Sequence, residues 1–303
     1  MQAPDGLGGL VIIDKPKDFT SHDVVARLRR LLGTRKVGHA GTLDPMATGV
    51  LICGVGRATR LLGYVSKAPK TYTATIRLGI ETDTEDAAGQ VVSSPGFCVP
   101  EDFHQQLDPA IQGLTGQIQQ VPSAVSAIKI DGQRAYQRVR AGEDVQLPAR
   151  AVTVSRFDVI KQRQQSVGEI PVIDLDVIVE CSSGTYIRAL ARDLAVALGT
   201  VGHLTELCRT VLGGFSVSDA VPLPVGEDTT APLVMPLAEV LPVLFDVLTV
   251  DDATAIKLKH GNRIDWPSDR DPAAPLAVMT TDGVAVCLAD KRDDLLAVAV
   301  GWL

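Results

Sequence analysis

The sequence predicts an α+β fold: a mixed, largely antiparallel β-sheet domain with a few helices, followed by a small β-rich C-terminal domain. Three observations carry this. Segments of strand and helix character do not alternate strictly, as a doubly wound parallel sheet would require. A proline-thick stretch (Pro222, Pro224, Pro232, Pro236, Pro242) surrounds Gly226-Glu227-Asp228-Thr229-Thr230 and reads as a connection between domains. Beyond it, short runs of strand character dominate. The chain has 303 residues, 46% hydrophobic and 21% charged, a globular balance long enough for two domains of roughly 100–200 residues each. The expected division is residues 1–225, a linker over 226–245, and residues 246–303.

Taken in order, residues 10–13 read as a buried strand ended by the Lys15-Pro16 turn. Thr20 and Ser21 then cap a helix whose Val24, Val25, Leu28, Leu31 and Leu32 share one face, with Gly33 as its stop. Residues 70–78 alternate around Tyr72, Ala74, Ile76 and Leu78. Residues 152–160 and 175–180 are rich in β-branched side chains, which adds two more strands. Ser183-Gly184-Thr185 caps a helix over about residues 186–198, with Leu190, Leu194 and Leu198 on one side and Gly199 as its end. The tail shows one helix over 252–260, stopped by Gly261, and strands near 276–279, 284–289 and 296–300.

Several classes are excluded. The longest apolar run, residues 240–250, contains Pro242 and Asp246, and no stretch approaches the roughly 20 apolar residues of a membrane span. No basic start leads into an apolar segment, so no export signal is expected. The five cysteines, Cys53, Cys98, Cys181, Cys208 and Cys287, are odd in number and form no C-x-x-C pair, which argues against zinc and against a disulfide framework. No histidine pair has a ligand spacing. No metal site and a cytoplasmic location are the resulting expectations.

Net charge is -7, yet its distribution is uneven. Residues 1–70 carry 11 Lys and Arg against 5 Asp and Glu, whereas residues 221–303 carry 6 against 13. Screening over about 8 Å at physiological salt lets the basic quarter attract a polyanion although the far end is acidic. On charge alone, a solvated helix face explains the same residues equally well.

The stretch richest in chemistry is Gly38-His39-Ala40-Gly41-Thr42-Leu43-Asp44-Pro45-Met46-Ala47-Thr48-Gly49-Val50-Leu51. Its glycines permit tight turns, and Pro45 pushes Asp44 toward an extended conformation, so Asp44 is presented on a constrained loop. A second cluster, Cys181-Ser182-Ser183-Gly184-Thr185-Tyr186-Ile187-Arg188, places Arg188 in the first turn of a helix. A cation there opposes the helix dipole, so a carboxylate partner is expected.

These residues resemble the bacterial tRNA pseudouridine-55 synthase family, over about residues 9–220. The 38–51 signature is long and contiguous, and four further matches follow in order: Asp14-Lys15-Pro16, Lys70-Thr71-Tyr72, residues 122–136 with Ser126-Ala127-Ile128-Lys129 and Asp131-Gly132, and Gly184-Thr185-Tyr186-Ile187-Arg188. The resemblance implies a pseudouridine synthase type of catalytic domain and a PUA-like C-terminal domain, acting on the uridine at position 55 in the tRNA T-loop. It implies that Asp44 is catalytic, that Tyr72 packs on the target base, that Arg188 pairs with Asp44, and that Leu207 lines the uracil pocket beside Tyr186. It also implies that His39 fills the space left by the flipped nucleotide and that residues 120–150 form an RNA-gripping insertion.

The chemistry agrees with these roles. Isomerising uridine breaks N1–C1′, turns the uracil and rejoins it through C5. An anionic group is the side-chain help this needs, and an arginine neighbour keeps a carboxylate ionised. The base must first leave its stack, which makes an aromatic platform and a space-filler useful. No cofactor is expected. Phosphate contacts must come from Lys15, Arg27, Arg29, Arg30, Arg35, Lys36, Arg57, Arg60, Lys67, Lys129, Arg134, Arg138 and Arg140. A monomer that needs no protein partner and touches no membrane completes the expectation. Two other readings use the same residues: the same chemistry on another RNA, and an RNA-folding protein in which catalysis is secondary.

Overall fold

A computed structural model describes residues 8–123, 129–130, 133–134 and 147–302. The chain forms two compact units: residues 1–43, 50–66 and 212–303, and residues 44–49 and 67–211.

In the first unit, β1 (Gly8–Lys15) is buried along nearly its whole length, as its continuous apolar run requires. It pairs in parallel with Val221–Pro222 and antiparallel with Met235–Pro236. Gly9 is obligatory, because a Cβ there would sit 1.9 Å from the Met235 carbonyl oxygen. Helix α1 (Ser21–Leu31) starts from a capping box in which the Asp23 N–H donates to Thr20 Oγ1 (3.1 Å) and the Thr20 N–H donates to Asp23 Oδ2 (2.9 Å). It buries Val24, Val25 and Leu28, and Gly33 beyond its end adopts a φ of +62°. Strand β2 (Val37–Ala40) runs antiparallel to β3 (Thr48–Gly56). Between them, Ser21 Oγ donates to the Leu43 carbonyl and accepts its N–H, at 3.2 and 2.9 Å, which fixes the backbone one residue before Asp44.

The C-terminal part of this unit is a five-stranded sheet in the order Asp246–Val250, Leu276–Thr280, Ala285–Arg292, Leu295–Gly301, Ile264–Asp265. Only its first pair is parallel. Trp266, Leu258, Val278, Val286 and Leu296 belong to its core, and the module is consistent with the β-rich, PUA-like C-terminal domain that the resemblance implies. Arg57 and Arg60 donate to the carbonyls of Trp302 and Gly301, and the Tyr64 hydroxyl donates to Asp290 Oδ2 at 3.1 Å.

The second unit is built on a sheet ordered Gly202–Leu212, β4 (Lys70–Leu78), Ile170–Cys181, Arg150–Val167, Gly116–Gln120. Strand β4 runs antiparallel to Ile170–Cys181, from the pair Leu78 and Ile173 to the pair Lys70 and Cys181. Thr48 and Gly49 pair in parallel with Cys208 and Arg209. Gly49 has a φ of +95° and lies so close to this strand that a Cβ would be 2.3 Å from the Arg209 carbonyl oxygen. The Asp44–Gly49 turn is thus clamped onto the strand that carries Leu207.

The structure corrects several expectations. The second helix, Ile187–Ala197, is not capped by Ser183 or Thr185: its N-cap is Tyr186, with no capping side chain of its own. Gln120, distant in sequence, takes that role, its Oε1 accepting from the Tyr186 N–H at 2.8 Å while its Nε2 donates to the Tyr186 carbonyl at 3.1 Å. The helices Phe103–Gly113 and Leu237–Leu244 were not expected, and each holds an internal proline that reads as a breaker in sequence. The second lies within the expected linker and buries Leu237, Val240 and Leu241. In the 120–150 segment, Lys129–Ile130 pairs antiparallel with Gln133–Arg134. Ser126, Ala127, Ile128, Asp131, Gly132, Tyr136, Arg138 and Arg140 lie outside the described residues.

Candidate active site

Asp44 and Arg188 are 144 positions apart, and the fold brings them together: Arg188 Nε lies 3.0 Å from Asp44 Oδ2, and NH2 donates to Oδ1 at 3.3 Å. One charge-assisted hydrogen bond and one close charge contact join the two groups. Their exposure differs sharply. The arginine side chain is 5% exposed and the aspartate 36%, so the cation is sunk in the protein and the anion faces outward.

Arg188 is itself held from behind. Its NH1 donates to the Thr84 carbonyl (2.8 Å) and to Ser123 Oγ (3.2 Å), and lies 3.8 Å from Asp86 Oδ2. The other oxygen of the buried Asp86 accepts from the Thr84 hydroxyl at 2.6 Å and from the Ala88 N–H at 3.0 Å, so this carboxylate cannot swing away. A guanidinium anchored on one edge offers its other edge in a single orientation.

Around the pair stand two phenols. Tyr72 projects from β4 and is 7% exposed; burial pushes its hydroxyl up from its ordinary pKa, a hydrogen bond from Arg209 acts the other way, and the charge of Asp44 reaches it. Tyr186 is half-buried, with burial again raising its hydroxyl and with Asp44 and Arg188 among the charges it feels. Leu207 is buried on the strand clamped to the Asp44 turn. Both hydroxyls are therefore neutral at physiological pH, and the rings and Leu207 supply apolar surface beside an outward-facing anion. Two rows back, burial and then the neighbouring Arg209 lower the Lys70 ammonium to about 8, and its Nζ donates to the Ala68 carbonyl at 2.7 Å. Among the described residues, no group of His, Cys, Asp or Glu could hold a metal ion.

Residues 29–187 match the family model described as "TruB family pseudouridylate synthase (N terminal domain)". The chain belongs to the TruB family of pseudouridylate synthases. A protein of Arthrobacter sp. named tRNA pseudouridine synthase B is 52% identical over 286 residues, 93% of this chain and 92% of the relative. One of the same name from Corynebacterium efficiens is 49% identical, covering 98% and 97%. Among solved structures, a chain of a Cbf5-Nop10-Gar1 complex superposes with a TM-score of 0.70 at 24% identity, covering 97% of this chain and 84% of its own. A chain from an H/ACA RNP bound to a substrate RNA containing 2′-deoxyuridine gives 0.70 at 22%, covering 98% and 86%. These two share the fold.

The TruB chain places the remaining expected residues unequally. His39 sits on β2 in the first unit, its ring edge-on to His22 at 5.5 Å. Arg35, Lys36, Arg57 and Arg60 are exposed there. Lys15 is a correction: it is fully buried, and its Nζ donates to the carbonyls of Phe19 (2.6 Å) and Pro16 (2.9 Å), so it fastens the turn before α1 and does not reach a phosphate. Lys129 and Arg134 stand opposite each other in their short hairpin. Sequence reasoning missed Thr84, Asp86, Ser123 and Gln120. The only available signal was the polar run Thr82-Asp83-Thr84-Glu85-Asp86, which resembles any solvated loop.

Proposed function

We propose that this TruB-family isomerase converts the uridine at position 55 in the T-loop of tRNA to pseudouridine. The observation that carries the proposal is the asymmetric pair itself: an outward-facing carboxylate held by a buried arginine. A group that must meet an incoming nucleotide needs to be reached, and the carboxylate is the reachable member of this pair. The tRNA substrate is in the printed names of relatives that are about half identical over nearly the whole chain.

In this reading the uridine is flipped out of its stack, its uracil lies on Tyr72 against Leu207 and Tyr186, and Asp44 acts on the nucleotide while Arg188 holds the carboxylate in place. His39 fills the vacated space. The N1–C1′ bond breaks, a C5–C1′ bond forms, C5 gives up its proton and N1 gains one. The overall change is atom-balanced and redox-neutral, and it calls for no cofactor. Arg35, Lys36, Arg57, Arg60, Lys129 and Arg134 supply phosphate contacts to the T-loop and stem, with the 120–150 segment gripping the RNA. The PUA-like module would extend contact toward the acceptor end. The division at 1–225, 226–245 and 246–303, a monomeric state with no obligate protein partner, and a cytoplasmic location belong to the same proposal. Among the described residues, no helix is long and apolar enough to cross a membrane.

The test is tritium release from a tRNA transcript labelled at C5 of uracil, combined with mapping of the modified position. Release with pseudouridine at position 55 is expected. Pseudouridine only at other positions, or in another RNA, would reject the substrate assignment.

A further inference from the structure

Two arginines one helical turn apart grip the same two pieces of chain. Arg188 and Arg192 occupy i and i+4 of the helix Ile187–Ala197, so their side chains leave one face. Arg188 holds the 84–86 loop through Thr84 and Asp86, and the 121–123 segment through Ser123. Arg192 repeats both grips: NH1 donates to Glu85 Oε1 at 2.7 Å, and NH2 donates to the Val121 carbonyl at 2.8 Å. It also pairs with the adjacent Asp193.

Glu85 shows why the second grip matters. Its φ of +60° is left-handed, a region a residue with a long side chain rarely adopts. That turn stands between Thr84, whose carbonyl faces Arg188, and Asp86, whose carboxylate faces the same nitrogen. The Glu85 backbone is fixed at both ends, its N–H donating to the Thr82 carbonyl and its carbonyl accepting from the Leu204 N–H, each at 3.1 Å. Its carboxylate is only 14% exposed, and Oε2 has no hydrogen-bond partner among the described residues. Arg192 is thus the cation paired with the side chain of this left-handed, mostly buried residue.

Resting on the isomerase reading above, we propose that Arg192 is a positioning residue for catalysis: with Glu85 it sets the 84–86 loop and the 121–123 segment so that Arg188 presents its Nε and NH2 edge to Asp44. Small misplacements of a reacting group can lower rates about 100-fold, so the effect should appear in the chemical step.

The experiment measures single-turnover tritium release and KM with C5-labelled tRNA, using the full chain. Arg192→Ala is expected to slow release about 10- to 100-fold at saturating RNA with KM within about 3-fold. Arg192→Lys, which keeps one nitrogen for two anchors, should recover part of that rate. Glu85→Gln should slow release several-fold, and the double variant Arg192→Ala/Glu85→Gln should be no slower than Arg192→Ala alone. A rate for Arg192→Ala within 2-fold of wild type, even with a lowered Tm, overturns the proposal and leaves the isomerase reading standing. No release from the wild-type chain overturns both. Should Arg192→Ala not fold, Glu85→Gln decides: slower release at constant KM supports the proposal, and an unchanged rate rejects it.

Discussion

Among the arginine–aspartate pairs of the second unit, two have opposite designs. Arg77 and Asp174 face each other across β4 and Ile170–Cys181 in register, joined by two bonds of 2.8 Å, and Gln165 adds a further donor to the carboxylate. There the aspartate is the buried member, at 5% exposed, and the arginine is 21% exposed. In the Asp44–Arg188 pair the burial is reversed. Both carboxylate oxygens of Asp174 accept hydrogen bonds inside the protein, whereas Asp44 keeps an exposed face. Contact between an arginine and an aspartate does not by itself separate the two pairs; which partner is exposed, and what holds the buried one, does.

The comparison makes quantitative demands. The largest effect should come from Asp44→Asn, which is expected to reduce turnover on the order of 10³-fold or more while tRNA binding stays within a few-fold; tritium release and filter binding measure the two. Turnover that survives would remove Asp44 from the chemistry. Arg77→Ala should do the reverse. It strands a buried carboxylate and should lower the unfolding free energy by roughly 2–3 kcal/mol, less than for a fully buried pair because Arg77 is partly exposed, with kcat of the folded fraction unchanged. A kcat loss matching that of Arg188→Ala would erase the distinction between the two pairs.

Lys70 gives a pH prediction. Its ammonium titrates at about 8 in the folded chain against 10.5 ordinarily, so between these values the unfolded state binds more protons and stability rises with pH. The adjacent Cys181 thiol, pushed up to about 11 from 9.0 by burial, binds more protons when folded, so its contribution falls above pH 9. Urea unfolding should therefore show the wild type gaining on Lys70→Met from pH 8 to 10.5, by on the order of 2 kcal/mol. A pH-independent difference between the two would mean that the ammonium is not desolvated.

The smallest effect concerns the basic surface. If Arg35 or Lys36 meets a phosphate, replacing either with Gln should reduce the log–log salt slope of tRNA binding by about 1. Lys15→Met should leave that slope unchanged and lower Tm, because its ammonium serves two carbonyls.

Legibility in the sequence followed the range of the cause. Helix α1 was readable because Thr20, the apolar face and Gly33 all act within one or two turns. The C-terminal strands and the Gly261 stop were readable for the same reason. The start of Ile187–Ala197 was misread because its capping amide comes from Gln120, and no local pattern announces a partner 66 residues away. The two proline-containing helices were passed over because packing of Phe103, Leu107, Leu237 and Leu241 outweighs a local preference. Lys15 was misassigned because a lysine in a basic segment looks the same whether its ammonium meets water or two carbonyls.

By itself, the sequence determined the family, the fold class, the presentation of Asp44 before a proline and the need of Arg188 for an acid. Those depend on covalent geometry, local dihedral preference and a contiguous signature. Only the tertiary structure decided that Asp44 faces outward while Arg188 is buried, that Asp86, Thr84 and Ser123 brace the arginine, and that Lys15 points inward. Each of these is a matter of which side of a group water is excluded from, and that is set by segments meeting from distant parts of the chain.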